Sequence, residues 1–318
     1  MPETLTRLTL AWTALALLIA AGTAANAADQ VRLLTARAGW QTFPAFYAKD
    51  FDVWSKKGIE VKHTVLDSSA SVMEAFVGGQ ADMAVVNVGT AVNAFFKGVP
   101  LRIVGGTAAS DYPAFTISPD IKSLADLKGK KIAIWSIPSD ATLALDVTMA
   151  KSNMQPGRDY TYVRVPAPNV CDTVERGQAD VGVVFEPYAS ACLLKKGKRI
   201  APAGSVSFDP PKIVASSVLV VNASFLEKNK AAVKAVVDAM NESMDWAKKD
   251  KPAMVALLSK HSGEPADAIS LSYDAANFDL SIDRDYHAKL LQRYQEAKLI
   301  QKTPTEAELK TLYQTDLR

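Results

Sequence analysis

Short apolar runs alternate along this chain with stretches in which apolar residues return every third or fourth position, the pattern of buried strands interleaved with amphipathic helices. Residues 31–37 have strand character, and a helix over 43–57 follows, with Phe46, Tyr47, Phe51 and Trp54 on its apolar positions and Gly58 as its stop. Residues 59–66 alternate as a second strand. A cluster of N-cap side chains at 67–71 then opens a helix over 72–77 that Gly78 and Gly79 end, and 82–86 is a third, buried strand. The same order returns downstream: strand 131–135, helix 141–153, strand 160–165, helix 170–176 ended by Gly177, strand 181–185. Residues 101–104, 114–118 and 213–222 look extended. From 224 to the end the periodicity is helical, with 225–249 the longest helix and a break over 298–303.

The recurrence is visible in identities as well as in pattern. Gly-Gln-Ala-Asp stands at Gly79 to Asp82 and again at Gly177 to Asp180. Aligning 72–87 with 170–185 gives seven identities in 16 positions, Val72, Gly79, Gln80, Ala81, Asp82, Val85 and Val86. About one would be expected from ordinary residue usage. The offset of 98 residues is far beyond a solenoid period, so each copy belongs to a lobe of its own. Strands alternating with helices imply right-handed crossovers and an open, mostly parallel α/β sheet in each lobe. The expected organisation is a leader over 1–27, a discontinuous first lobe over 28–115 and 217–318, and a second lobe over 116–216. The chain would cross near Phe115 and return near Ser217, with the C-terminal helices packing on the first lobe.

Ligands of open parallel sheets lie beyond the carboxyl ends of the strands. The duplication therefore pairs the candidate loops: 36–42 with 135–140, 67–71 with 166–169, and 87–90 with 185–188. Ser69, Ser71, Thr90, Ser139 and Thr142 stand near helix starts, where free N–H groups and the helix dipole favour an anion such as a carboxylate or sulfonate; capping of their own helices is the alternative. Gly89 and Ser217 belong to the same set of linings. Trp40, Trp135, Phe185 and Tyr188 offer aromatic faces, against core packing, with Trp40 in the loop the better candidate. Arg37 ends the first strand and would pair either with an anionic head or with a surface carboxylate. Glu186 precedes Pro187 and would be an N-cap with its carboxylate at the cleft, holding an ammonium or another donor, or else only meeting the helix dipole. Asn87, at nearly the same place in the other copy, both donates and accepts.

Composition narrows the function classes. With 48% hydrophobic and 22% charged residues and a net charge of +2, the chain reads as an ordinary globular protein, and no basic run supports nucleic-acid binding. Arg7, the apolar stretch 8–21 and Ala25-Asn26-Ala27 read as a cleavable export signal; a membrane anchor is the alternative, for which the run is short of the roughly 20 residues that span a bilayer. Cys171 and Cys192 are the two cysteines, on helices flanking strand 181–185. An oxidising compartment would let them pair; two separate buried thiols are the alternative. His63, His261 and His287 are scattered, so neither a metal nor another cofactor is expected. The candidate loops contain no His and neither Cys, and no nucleophile with a positioned base is visible, so catalysis is not expected.

Leu124-Ala125-Asp126-Leu127-Lys128-Gly129-Lys130-Lys131-Ile132-Ala133, the paired Gly-Gln-Ala-Asp segments and Glu186-Pro187 together resemble the solute-binding proteins of bacterial ABC importers, in the group that includes taurine, alkanesulfonate, nitrate and thiamine-precursor binders. The resemblance spans Val31 to about Trp246, with Phe185 where Trp is common. It implies a two-lobed periplasmic clamshell, acting as a monomer, that captures a small molecule and delivers it to an inner-membrane permease. Taurine or another alkanesulfonate is the expected ligand, with a thiamine pyrimidine precursor or an aromatic acid as the alternative. An enzyme on the same scaffold is the rival of another class.

Overall fold

The computed structural model of the protein describes residues 29–110, 112–137, 139–202, 217–274, 276–278 and 282–317; the expected leader, and residues 213–216 of the expected strand 213–222, lie outside them. The first lobe runs β1 (Asp29–Thr35), α1 (Phe43–Asp50), α2 (Val53–Lys56), β2 (Ile59–Val65), α3 (Ser69–Val77), β3 (Met83–Asn87), α4 (Val88–Phe96) and β4 (Leu101–Gly106). The second runs β5 (Ala114–Thr116), β6 (Lys130–Ile134), α5 (Asp140–Ala150), β7 (Tyr160–Arg164), α6 (Val170–Glu175), β8 (Val181–Val183), α7 (Tyr188–Lys195) and β9 (Lys198–Arg199). The chain then continues as β10 (Ser217–Asn222), α8 (Ala223–Lys228), α9 (Lys230–Lys249), α10 (Lys251–Ser262), α11 (Ala266–Tyr273), α12 (Arg284–Glu296) and α13 (Glu306–Leu312).

Two five-stranded sheets result, ordered β2-β1-β3-β10-β4 and β7-β6-β8-β5-β9. In each, one strand runs against the rest: β10 is antiparallel to β3 and β4, and β5 to β8 and β9. Phe115 already pairs with Gly182 and Arg199 in the second sheet, so the passage between sheets lies between Gly106 and Ala114. Ser217 pairs with Asn87 at the first residue of β10. The first sheet is covered on both faces. Val31, Leu33, Met83, Val85, Leu219 and Val221 meet α1, α9 and α10, while Leu34, Ala84, Val86, Val218 and Val220 meet α3, α4 and α12, as a two-residue strand period requires.

The repeated tetrapeptide has one structural task in both lobes. Gly79 and Gly177 adopt φ of +73° and +69°, the left-handed conformation that glycine reaches without a Cβ penalty, and end α3 and α6. The aspartate then ties the neighbouring strand. Asp82 accepts from the Arg32 backbone N–H at 2.8 Å and Asp180 from that of Lys131 at 2.8 Å, each across the start of a parallel pair.

Four expectations differ from the structure. The helix over 43–57 is split at Asp52, whose φ of 57° interrupts the ladder, a conformation that a short polar side chain tolerates better than most. The helix over 225–249 is split at Asn229. The helix expected from 72 starts at Ser69, because Ser68 is its cap and accepts from the Ser71 N–H. The C-terminal helices do not pack on the first lobe alone: α11 also lies against α7 of the second. Among the described residues no helix is long and apolar enough to cross a membrane.

Candidate functional site

The carboxyl ends of β1, β2 and β3 face those of β6 and β7 across a cavity of about 690 Å³. Its walls come from all three pairs of loops, and four helices begin on it: α1 at Thr42, α3 at Ser68, α4 at Asn87 and α5 at Ser139. Of the residues singled out in the sequence, Arg37, Ser69, Ser71, Asn87, Gly89, Thr90, Trp135, Ser139, Phe185 and Ser217 line it. Ser69 Oγ accepts from the Asn87 N–H at 2.8 Å, which fixes the start of α4 to that of α3. Ser139 caps α5 by accepting from the Thr142 N–H at 3.1 Å. Arg37, with 54% of its side chain exposed, donates to Asp67 at 2.6 Å at the rim.

Four of the residues singled out are elsewhere. Thr142 is buried in the first turn of α5, where its Oγ1 accepts from the Ser139 N–H at 2.8 Å. Trp40 is 0% exposed and its indole donates to Ser272 Oγ at 3.1 Å, inside a cluster with Phe43, Tyr273 and Phe278. It is core, because the loop after β1 folds back under α11 and carries the ring with it. Glu186 does not reach the cleft either. It is 1% exposed, its carboxylate accepts from the Ser190 N–H at 2.8 Å at the start of α7, and Arg199 lies 3.8 Å away. The helix begins one residue later than an N-cap Glu186 requires, with Pro187 in the cap position, so the carboxylate turns inward to the helix's own first turn. Tyr188 is buried, with its hydroxyl 3.4 Å from the Ala38 carbonyl of the other lobe, and burial pushes its hydroxyl pKa up to about 12.

Asp140 places at the cleft the carboxylate that was expected of Glu186, but its donors come from within the protein. It is the first residue of α5, 1% exposed, and it reaches across the cleft. Asn87 Nδ2 donates to its Oδ2 at 2.9 Å, and the Tyr294 hydroxyl of α12 donates to its Oδ1. Gly89 makes room for this arrangement, since a Cβ there would run into the Tyr294 ring. Tyr294 was beyond the reach of the sequence because it stands 154 residues after Asp140, the nearer of the loop residues it meets. Tyr112, Ser136 and Arg164 also line the cleft. Arg164, at the end of β7, makes no ion pair among the described residues.

On the far side of the second sheet the structure bonds Cys171 of α6 to Cys192 of α7, with Cα atoms 5.4 Å apart. Among the described residues no group of His, Cys, Asp and Glu could hold a metal ion.

Residues 40–254 match the family model described as NMT1/THI5 like. The chain belongs to that family. An Escherichia coli (strain K12) protein named for aliphatic sulfonates binding is 27% identical over 157 residues, a match spanning 48% of this chain and 46% of the relative, so the chain aligns with about half of that protein's length. Among solved structures, the periplasmic aliphatic sulphonate binding protein SsuA from Escherichia coli superposes with a TM-score of 0.74 at 19% identity, over 89% of this chain and 91% of that one. The desulfurization enzyme DSZB superposes with a TM-score of 0.67 at 15% identity, over 91% and 97%. At these identities the superpositions establish the fold, a two-lobed α/β clamshell, and the second shows that the fold also carries enzymes.

Proposed function

We propose that the protein is the exported solute receptor of an ABC importer and that it captures an organic sulfonate between its lobes. The convergence of the α3, α4 and α5 starts on one cavity supports this reading most, since each brings unpaired backbone N–H groups and the positive end of a helix dipole to the same space. The hydroxyls of Ser71 and Thr90 add donors, and Arg164 adds a positive charge. Taurine is less favoured than an amine-free sulfonate. Glu186, its expected amine partner, is buried in α7's own cap, and both oxygens of Asp140 already accept hydrogen bonds from within the protein.

The family's receptors and the enzyme DSZB share this fold, so activity must be argued from the cleft. Among the described residues that line it there is no His and no Cys, which favours capture over chemistry. Mass spectrometry of small molecules retained by the natively purified protein is the direct test. Retention of a sulfonate, with a thermal shift when the same compound is added back, is the expected result. No shift with any sulfonate sinks the assigned class, and turnover of the retained compound transfers the protein to the enzymes.

A further inference from the structure

Resting on the receptor reading, we infer that the captured sulfonate carries an aryl group. Part of the second-lobe wall of the cleft is aromatic, beside the polar Ser136, Ser139, Asp140 and Arg164. Tyr112 and Trp135 stack with ring centroids 5.6 Å apart at an interplanar angle of 28°, and Phe185 meets Trp135 edge to face at 5.1 Å. All three line the cavity and each keeps part of its surface exposed there, so core packing has not consumed them. The facing wall is polar, made of the Ser69, Ser71 and Thr90 hydroxyls at the starts of α3 and α4. A ligand that satisfies both walls has an anionic head on one side and a planar apolar body on the other.

Size points the same way. About 690 Å³ lies within the range of roughly 300–1,000 Å³ that encloses drug-sized ligands. A two-carbon sulfonate would leave most of that space, and the whole aromatic wall, to water. A ring packed against Trp135 and Tyr112 removes apolar surface on both partners and adds the offset or edge-on preference of aromatic pairs.

Benzenesulfonate and ethanesulfonate separate the possibilities, because they share the head and differ in the body. By calorimetry on the mature protein, benzenesulfonate should bind at least about tenfold more tightly, as one added ring contact of ordinary strength requires. It should also quench the intrinsic fluorescence, since Trp135 is the Trp that lines the cleft among the described residues. In Trp135→Leu, or in Tyr112→Leu where the first does not fold, the preference should fall to about twofold. Benzoate as a third probe distinguishes an aromatic sulfonate from an aromatic carboxylate. Equal binding of ethanesulfonate and benzenesulfonate, or a preference that survives both substitutions, overturns the aryl assignment and leaves the receptor standing. Binding of none of the three overturns the receptor and the aryl assignment together.

Discussion

Single residues divide here into those that build helix ends and those that meet across the cleft, and residue type alone does not separate them. Glu186 and Asp140 are both carboxylates at helix starts of the second lobe, both 1% exposed. Glu186 serves its own helix, whereas Asp140 serves Asn87 and Tyr294 of the other lobe. Glu186→Ala should therefore lower unfolding stability by about 1–2 kcal/mol, the ordinary size of a lost cap, and leave sulfonate affinity within twofold. Urea denaturation beside calorimetry checks both halves, and a large affinity loss at unchanged stability would restore Glu186 to the cleft. His63 carries a pH dependence. Burial, with Lys49 and His261 nearby, holds its pKa down to about 4 from 6.5, while its ring meets Thr35 Oγ1 at 2.8 Å. The unfolded chain binds this proton more readily. The contribution is thus fully present above about pH 6.5 and lost as pH falls through 4. Between those values His63→Gln should flatten the fall in melting temperature; an unchanged slope would assign the acid sensitivity to other groups.

At the scale of elements, the periodicity of the first lobe told its strands and helices apart, and the repeat did so for the second. The strands β1, β3, β6 and β8 fall within a few residues of their expected places because both faces of the sheet are buried around them, leaving a dense apolar signal, whereas the edge strands β2 and β7 are less buried. The helix breaks at Asp52 and Asn229 were not legible, since neither is a glycine or proline and apolar spacing runs through both. The pairing of α6 with α7 by Cys171–Cys192 was open in the sequence and is closed by the 5.4 Å Cα separation. Replacing both cysteines by Ser releases a loop with a sequence separation of 21, and should cost about 2–4 kcal/mol. Dithiothreitol should reproduce that loss in the parent protein and have no effect on the double variant, as followed by denaturant midpoint.

For the whole molecule, the deciding contacts run between lobes. Asp140 with Asn87 and Tyr294, Tyr188 with Ala38, and Leu143 of α5 within the first lobe's apolar cluster hold the two sheets about a common cleft. Such contacts bias a hinged pair toward its closed form, and a ligand binding that form adds to the bias. Asp140→Ala removes the acceptor for two donors at once. Without ligand it should raise the radius of gyration in solution scattering, and it should weaken sulfonate binding about tenfold or more by lowering the closed population. An unchanged scattering profile would show that closure does not depend on this carboxylate.

The chain by itself determined the duplication, the loops that line the cleft and the order of elements, because these depend on local periodicity and on glycine and aspartate at fixed offsets. Ten of the residues it nominated line the cleft for that reason. Tertiary structure alone decided which side of a loop each side chain takes. It withdrew Trp40 into a core of residues more than 200 positions away and turned Glu186 to its own helix. It brought Tyr294 onto Asp140 over the space left by Gly89. The direction of a loop side chain is set by what packs against it, and here that is supplied by the C-terminal helices, whose docking no local pattern encodes.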